Sequence, residues 1–467
     1  MDPSDPAEAE SWRGRLGEIF HDRPVICGFG PLAGYTSVTS LLRSVGARKP
    51  LLLVTGRGAG PVPPEDEIEV VRVDPPRALS MTEELRQLDH LARNLPAHAQ
   101  EAVDRYDPTG EGVWFVGPFI VNEPLLGRPV LGGRPADWLA LEDKIVAEQI
   151  WASLGVPHAR SRVVAVGVSE LQAAHRDLDE GAGTVWTGDA RGGFNGGGDF
   201  VRWVVTPEDA QSAFEFFATR CDRVRMMPFL EGVPCSIHGI VLPDGTATFR
   251  PVELAILRHT ETRRFVYGGQ GTFWDPPQED RAEMRGLVRS TGEHLRGRVG
   301  YAGAFGIDGI MTRHGFRPTE INTRLPGGLS AMTTAVDASL FVLLQTNLVA
   351  GRALGVSTRE LEEWALREFD ERRVGKPLAV SALRLVDESQ QIPLSWDGER
   401  LRRSDEDTGM SLAIGPSGSG TYARIDPGDV LRVGDRIAPL NVALMRFLDD
   451  EFDATFGPVT AASEVRH

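Results

Sequence analysis

The sequence predicts an α/β chain of three parts, on three observations. From residue 24 to 116 short apolar runs alternate with helical stretches, the pattern of an open parallel sheet. Residues 305–322 alternate with period two about a short turn, which is the pattern of an antiparallel hairpin. Beyond residue 378 the chain breaks into short strand-like runs separated by turns. A chain of 467 residues, 41% hydrophobic, can fill the cores of about three domains. The expected division is 1–135, 136–350 and 351–467, with the middle part split into 136–225 and 226–350.

Residues 1–10 are acidic and carry proline, so a frayed end is expected there. The run Pro24-Val-Ile-Cys27 enters Gly28-Phe-Gly30-Pro-Leu-Ala-Gly34, followed by a helical stretch and a second strand over 51–55. Strands are expected over 68–73 and 113–116, with one helix from about 80 to 105, giving a Rossmann-like unit. The glycines permit close approach to a phosphate. The second strand, however, ends at Thr55 without the acidic residue that would hold a ribose, so a tight turn is the better reading. Residues 128–135, rich in glycine and proline, read as a linker.

The hairpin carries the most chemistry. With Arg313-His314-Gly315 as a three-residue loop and Thr312 opposite Phe316, Asp308 falls opposite Glu320. Period two then puts Asn322 and Arg324 on the same face and turns Phe305, Ile307, Ile321 and Thr323 the other way. Two carboxylates facing across a ladder repel unless a cation lies between them, and hard oxygen donors suit Mg²⁺ carrying phosphates. Ala304 and Gly306, opposite Arg324 and Asn322, are expected to leave room for a ligand.

Glu320-Ile-Asn322-Thr-Arg324 with Asp308 upstream resembles the metal and phosphate site of the ATP-grasp superfamily. With Leu325-Pro-Gly327-Gly328 and the flanking regions, the chain is most similar to the pheganomycin-type peptide ligases. The resemblance implies an ATP-grasp fold behind an N-terminal pre-grasp domain, with a small accessory domain at the C-terminal end. It also implies ATP and Mg²⁺ as cofactors, Asp308, Glu320 and Asn322 as metal ligands, and Arg324 and Lys144 as catalytic residues. Lys144 sits in a helix expected over 137–154, and the family places a phosphate-reaching lysine before Gly155-Val-Pro157.

Departures from the family pattern are equally specific. A second phosphate lysine is usual where Thr187 stands, ahead of the loop Gly192-Gly-Phe-Asn-Gly196-Gly197-Gly198. Arg191 is expected to supply that charge, although a rigid guanidinium fork differs from an ammonium. Met227, Pro228, Phe229 and Leu230 resemble the hinge that receives adenine, and Pro234 occupies the place of a ribose-binding glutamate. Glu253, Arg258, Arg263, Tyr267, Arg324, Gly327 and Gly328 are the expected substrate-binding residues, since arginine orients a carboxylate in bidentate fashion.

A helix is expected over 352–373 and another over 438–452, with a turn at Gly415-Pro-Ser-Gly-Ser-Gly420 between short strands. The formal net charge of −16 argues against a nucleic-acid partner. Cys27, Cys221 and Cys235 are unclustered, no apolar run is long enough for a membrane span, and no signal peptide is read, so a reducing cytoplasm is expected. The expected partners are small molecules, an amino-acid carboxyl donor and a peptide amine acceptor, with a homodimer compatible. The expected activity is ATP-dependent peptide-bond formation through an acyl phosphate. A kinase on the same metal face, or a nucleotide-sensing scaffold, are the alternatives.

Overall fold

The computed structural model describes residues 5–75, 78, 80–189, 191, 196, 198–352, 354–406 and 408–466. Asp5 caps a first helix, α1 (Pro6–Gly17), where fraying was expected. The helix is held because Trp12 and Leu16 pack into a shared core and Asn347 Nδ2 donates to the Leu16 carbonyl at 2.8 Å. The parallel strands β1 (Val25–Pro31), β2 (Leu51–Gly56), β3 (Glu69–Arg72), β4 (Val113–Val116) and β5 (Val130–Leu131) form a sheet in the order β3-β2-β1-β4-β5. That order confirms the Rossmann-like reading.

Between the strands lie α2 (Thr36–Ser44), α3 (Met81–Arg93) and α4 (Ala97–Tyr106). The single helix expected over 80–105 is therefore two. Proline at 96 cannot donate to the helix ladder, and it disfavours helical backbone at the residue before it, so α3 ends before it. The expected linker is also structured. Its β5 completes the sheet, Arg128 is buried on Asp107 at 2.6 Å, and Arg134 is buried against Glu142.

Where one helix was expected over 137–154, α5 (Ala136–Ala140) and α6 (Ala147–Ser153) flank a turn that carries Lys144. The strands β6 (Arg162–Ala165), β7 (Thr184–Gly188), β8 (Val201–Val204) and β9 (Arg223–Pro228) make a four-stranded antiparallel sheet, order β6-β9-β7-β8. The helices α7 (Val168–Leu178) and α8 (Pro207–Ala218) pack on it through Leu171, Phe217 and Trp186.

A twelve-stranded sheet dominates the remainder. It is built from β10 (Val233–Leu242), β11 (Gly245–Thr248), β12 (Val252–His259), β13 (Phe265–Gly271), β14 (Gly303–Thr312) and β15 (Gly315–Asn322). The C-terminal strands β16 (Gly375–Ser381), β17 (Gln390–Trp396), β18 (Leu401–Arg403), β19 (Ser411–Ser417) and β20 (Gly420–Asp426) continue it through β13 pairing with β16. The last part of the chain thus extends the large sheet. The turn expected over 415–420 narrows to Gly418-Ser419, because both flanks pair.

Five helices cover the two faces: α9 (Gln278–Val299), α10 (Gly327–Met332), α11 (Ala338–Val349), α12 (Thr358–Glu371) and α13 (Ala438–Phe452). A short return strand, β21 (Val459–Thr460), pairs with β12. No helix among the described residues is long and apolar enough to cross a membrane. Cys27, Cys221 and Cys235 are buried free thiols.

Candidate active site

The β14–β15 hairpin brings Asp308 opposite Glu320 and Gly306 opposite Asn322, as expected, although the turn is not the expected one. Thr312 pairs with Gly315, so the loop has two residues, Arg313 and His314. That register is off by one, and a bulge at Thr319 restores it. The extra residue twists the strand locally and brings Thr319 to the cavity wall. Phe305, Ile307 and Ile321 face the core on the far side. Gly306 does not open space for a ligand, because a Cβ there would meet His238 and Pro326 at 2.9 Å, and Ala304 is buried in the core.

The two carboxylates are pushed in opposite directions. Burial, and next the charge of Glu320, push Asp308 up to about 7. Burial also acts upward on Glu320, but the Lys144 ammonium, by charge and hydrogen bond, brings its pKa below the ordinary value. Asn322 Nδ2 donates to Asp308 Oδ2 at 2.9 Å, and Arg324 Nη2 donates to Asn322 Oδ1 at 2.8 Å. This oxygen-rich set, two carboxylates and a carboxamide on one face, fits a hard divalent cation. No group of three or more His, Cys, Asp or Glu gathers among the described residues, because the third donor is an amide.

Arg324 is steered from two sides. Glu142 Oε1 lies 3.5 Å from its Nε, and the Phe119 ring lies 5.3 Å from its guanidinium carbon. Glu142 is itself held by buried Arg134, which also donates to the Thr323 carbonyl at 2.8 Å.

These groups open on a cavity of about 400 Å³. Its walls include Lys144, Thr187, Gly196, Gly198, Met227, Pro228, Phe229, Leu230, Arg258, Tyr267, Asp308, Glu320, Asn322, Arg324, Gly327 and Gly328, which brings most of the expected site together. Gly197 lies outside the described residues. Phe229 stacks on Trp203 at 4.4 Å, so the hinge presents a flat apolar wall. Tyr267 donates to Gln270 Oε1 at 2.8 Å.

Three expected residues stand elsewhere. Arg191 points to Asp222 at 2.9 Å and to the Thr219 carbonyl, outside the cavity lining. Glu253 is fully buried and satisfied by Arg436 at 2.6 Å and by the Ile437 N–H, so it joins the C-terminal part to the sheet. Arg263 pairs with Asp209 at 3.0 Å and lies over Trp203. Arg258 does line the cavity, but it is held in a two-bond fork by Glu231 at 2.8 and 3.0 Å.

Arg225 is the residue that sequence reasoning missed. It is directly opposite Thr187 on the neighbouring strand, is 3% exposed, and lines the cavity. Its Nη1 donates to the Thr319 carbonyl at 2.8 Å and the Lys144 carbonyl at 3.3 Å. No carboxylate pairs with it among the described residues, and burial lowers its pKa, with Glu148 and Glu320 acting in the other direction. A charged residue alternating with apolar neighbours in Val224-Arg225-Met226 was the available signal. His238, also missed, is a buried neutral imidazole whose pKa burial pushes down to about 3; its Nε2 is 2.9 Å from Ser236 Oγ.

In the described part of the glycine loop, Gly196 is bound by Thr82 of α3. Thr82 Oγ1 donates to the Gly196 carbonyl at 3.0 Å and accepts from its N–H at 3.1 Å, while Asp199 accepts from the Thr82 N–H at 3.0 Å.

No family model matches the chain, and no curated protein sequence matches it. Solved structures do resemble it. The biotin carboxylase domain of Hydrogenobacter thermophilus 2-oxoglutarate carboxylase, complexed with MgADP, ADP and bicarbonate, aligns with TM-score 0.53 at 14% identity, covering 94% of this chain and 91% of that one. Biotin carboxylase of Campylobacter jejuni, in a β,γ-ATP complex, gives 0.52 at 13%, covering 95% and 93%. The carboxyaminoimidazole ribonucleotide synthase of Aspergillus clavatus, complexed with ATP, gives 0.51 at 12%, covering 94% and 100%. At this identity the likeness is one of fold, and the fold it identifies is the ATP-grasp fold.

Proposed function

We propose that this protein is an ATP-dependent carboxylate–amine ligase that forms a peptide bond through an acyl phosphate. The observation that carries the reading is the convergence of Asp308, Glu320, Asn322, Lys144, Arg225 and Arg324 on one cavity that Gly196 and Gly198 also line. The nucleotide complexes of the structural neighbours support it. The similarity to pheganomycin-type ligases carried by residues 320–328 and their flanks extends it to peptide natural-product biosynthesis in the cytoplasm.

Asp308, Glu320 and Asn322 would hold Mg²⁺, which when bound screens the terminal phosphates of ATP and favours transfer of the γ-phosphoryl group. Lys144 and Arg225 add fixed positive charge at the phosphate end. Arg225 takes the place expected of Arg191, since it enters the cavity from the strand beside Thr187. The hinge 227–230 would receive adenine against the Phe229–Trp203 stack. Arg324, oriented by Glu142, stands where a carboxylate attacks the γ-phosphorus and where the oxyanion forms when the amine then attacks the acyl phosphate. The glycine loop, in which Thr82 binds Gly196, would exclude water that would hydrolyse that intermediate.

The test is to supply ATP, Mg²⁺, amino acids and dipeptides, and to measure products. One ADP, one phosphate and one amide per turnover is the expected result, with hydroxylamine giving a hydroxamate. A phosphorylated product without free phosphate would make the protein a kinase, binding without turnover would make it a scaffold, and AMP with pyrophosphate would overturn the mechanism.

A further inference from the structure

The cavity face of the large sheet continues past the strands that hold the metal-type ligands. Gln270, on the cavity wall, pairs directly with Lys376 of β16. Residues opposite one another on a ladder share a face, so Lys376 stands on the cavity side. Leu378, two residues along, shares that face and pairs with Arg424 of β20, while Val380 pairs with Tyr422. The opposite face belongs to α13: Ala379 and Ala423 are buried with Leu444, and Asn441 Nδ2 donates to the Leu378 carbonyl at 3.0 Å. Tyr422 is within electrostatic reach of Tyr267, which ties this patch to the known cavity wall.

The two cations have no acidic match. Lys376 and Arg424 form no ion pair among the described residues, and the charge acting on Lys376 is that of Arg424. Burial, followed by that charge, pushes the Lys376 pKa down to about 8. Asp426, two residues beyond Arg424, accepts the Gly428 N–H at 3.2 Å and bridges neither cation. Lys376 is half-buried and Arg424 is exposed beside it, so their like charges repel across the edge of this face, and an anion between them removes the repulsion.

The chemistry of that anion follows from position. The phosphate end of the cavity lies with Lys144 and Arg225, on the far side of Tyr267 and Gln270. A 400 Å³ cavity falls within the ~300–1,000 Å³ typical for one bound ligand, and Lys376, Tyr422 and Arg424 lie beyond its lining, next along the sheet from Gln270.

We infer that Lys376 and Arg424, with Tyr422 beside them, form an anion subsite on the C-terminal strands that binds the free carboxylate of the amine-bearing substrate. This rests on the ligase reading above. It gives the C-terminal extension a role, since the strands that carry the subsite are those it adds to the sheet.

The test uses the full chain saturated with MgADP, and as probes the set of Xaa-Ala dipeptides and the matching Xaa-Ala amides. Lys376 is labelled with trinitrobenzenesulfonate at pH 8 and read by peptide mass spectrometry. The dipeptides are expected to slow labelling of Lys376 at least about tenfold, the amides hardly at all, and Arg424→Ala to abolish the difference. In turnover, Lys376→Met is expected to raise the KM for dipeptides about tenfold and to erase their preference over amides, with an unchanged melting temperature. Equal protection by acid and amide, or protection by neither, overturns the subsite. Protection by dipeptides in a protein that forms no amide with any amino-acid donor leaves the subsite standing and removes the ligase reading.

Discussion

The β14–β15 hairpin and the glycine loop face each other across one cavity, and they are held in opposite ways. Asp308, Glu320 and Asn322 sit on the paired strands that form one edge of a twelve-stranded sheet, with Phe305, Ile307 and Ile321 anchoring the reverse face. The loop, by contrast, meets the N-terminal domain through Thr82 and little else in its described part. The carboxylates are fixed by paired strands, while Gly196 is held by two hydrogen bonds to one hydroxyl. Such bonds exchange with water at a net of about 1 kcal/mol each.

The largest effects should fall on the hairpin. Glu320→Ala and Asn322→Ala are expected to lower turnover by roughly 10³-fold or more, consistent with loss of a metal ligand, without a fall in melting temperature. Steady-state rates and thermal melts at several magnesium concentrations check this; near-normal turnover of Glu320→Ala at low magnesium would remove the assignment.

An intermediate effect separates two arginines. Arg225→Met should raise the KM for ATP on the order of 10- to 100-fold, with partial recovery in Arg225→Lys, because a buried cation facing the phosphate end is lost. Arg191→Met should change it less than about twofold, as an exposed pair with Asp222 is worth little. The reverse order would restore Arg191 to the phosphate site.

A smaller effect tests the loop. Thr82→Val keeps the shape and removes both hydrogen bonds, so ADP release uncoupled from product should rise a few-fold. Measuring phosphate and amide together decides it, and tight coupling in the variant would show that the Thr82 contact does not close the lid.

The least effect is on stability, and its sign comes from Asp308. Its folded pKa, about 7, lies above the ordinary value near 4, so its contribution to stability is full below about pH 4 and lost as pH rises through 7. Asp308→Asn cannot ionise. The metal-free variant should therefore melt several degrees above the parent at pH 8 and at about the same temperature at pH 4, as read by calorimetry in EDTA.

Several features were legible in the sequence because they depend on near neighbours. The parallel sheet followed from apolar runs, and the facing of Asp308 and Glu320 followed from period two, even though a bulge at Thr319 had to compensate a tighter turn. The cavity membership of Lys144, Thr187, residues 227–230 and Tyr267 was reached from motifs. Other features depended on contacts between distant segments. Glu253 reads as a substrate ligand until Arg436, 183 residues away, is seen to occupy it. Arg191 reads as a phosphate cation until Asp222 is placed beside it.

Sequence by itself determined the parallel sheet, the hairpin, the carboxylate pair and its polar face, because alternation is local, but not the break at Lys144 or the strand in residues 128–135. Tertiary structure alone decided which cations reach the cavity, since ion pairing is set by distances across strands and domains. It brought Arg225 in beside Thr187, spent Glu253 on the C-terminal junction, and laid Lys376 and Arg424 on the same face as Gln270. A buried charge goes to whichever partner the packed chain puts within reach, and no local pattern encodes that.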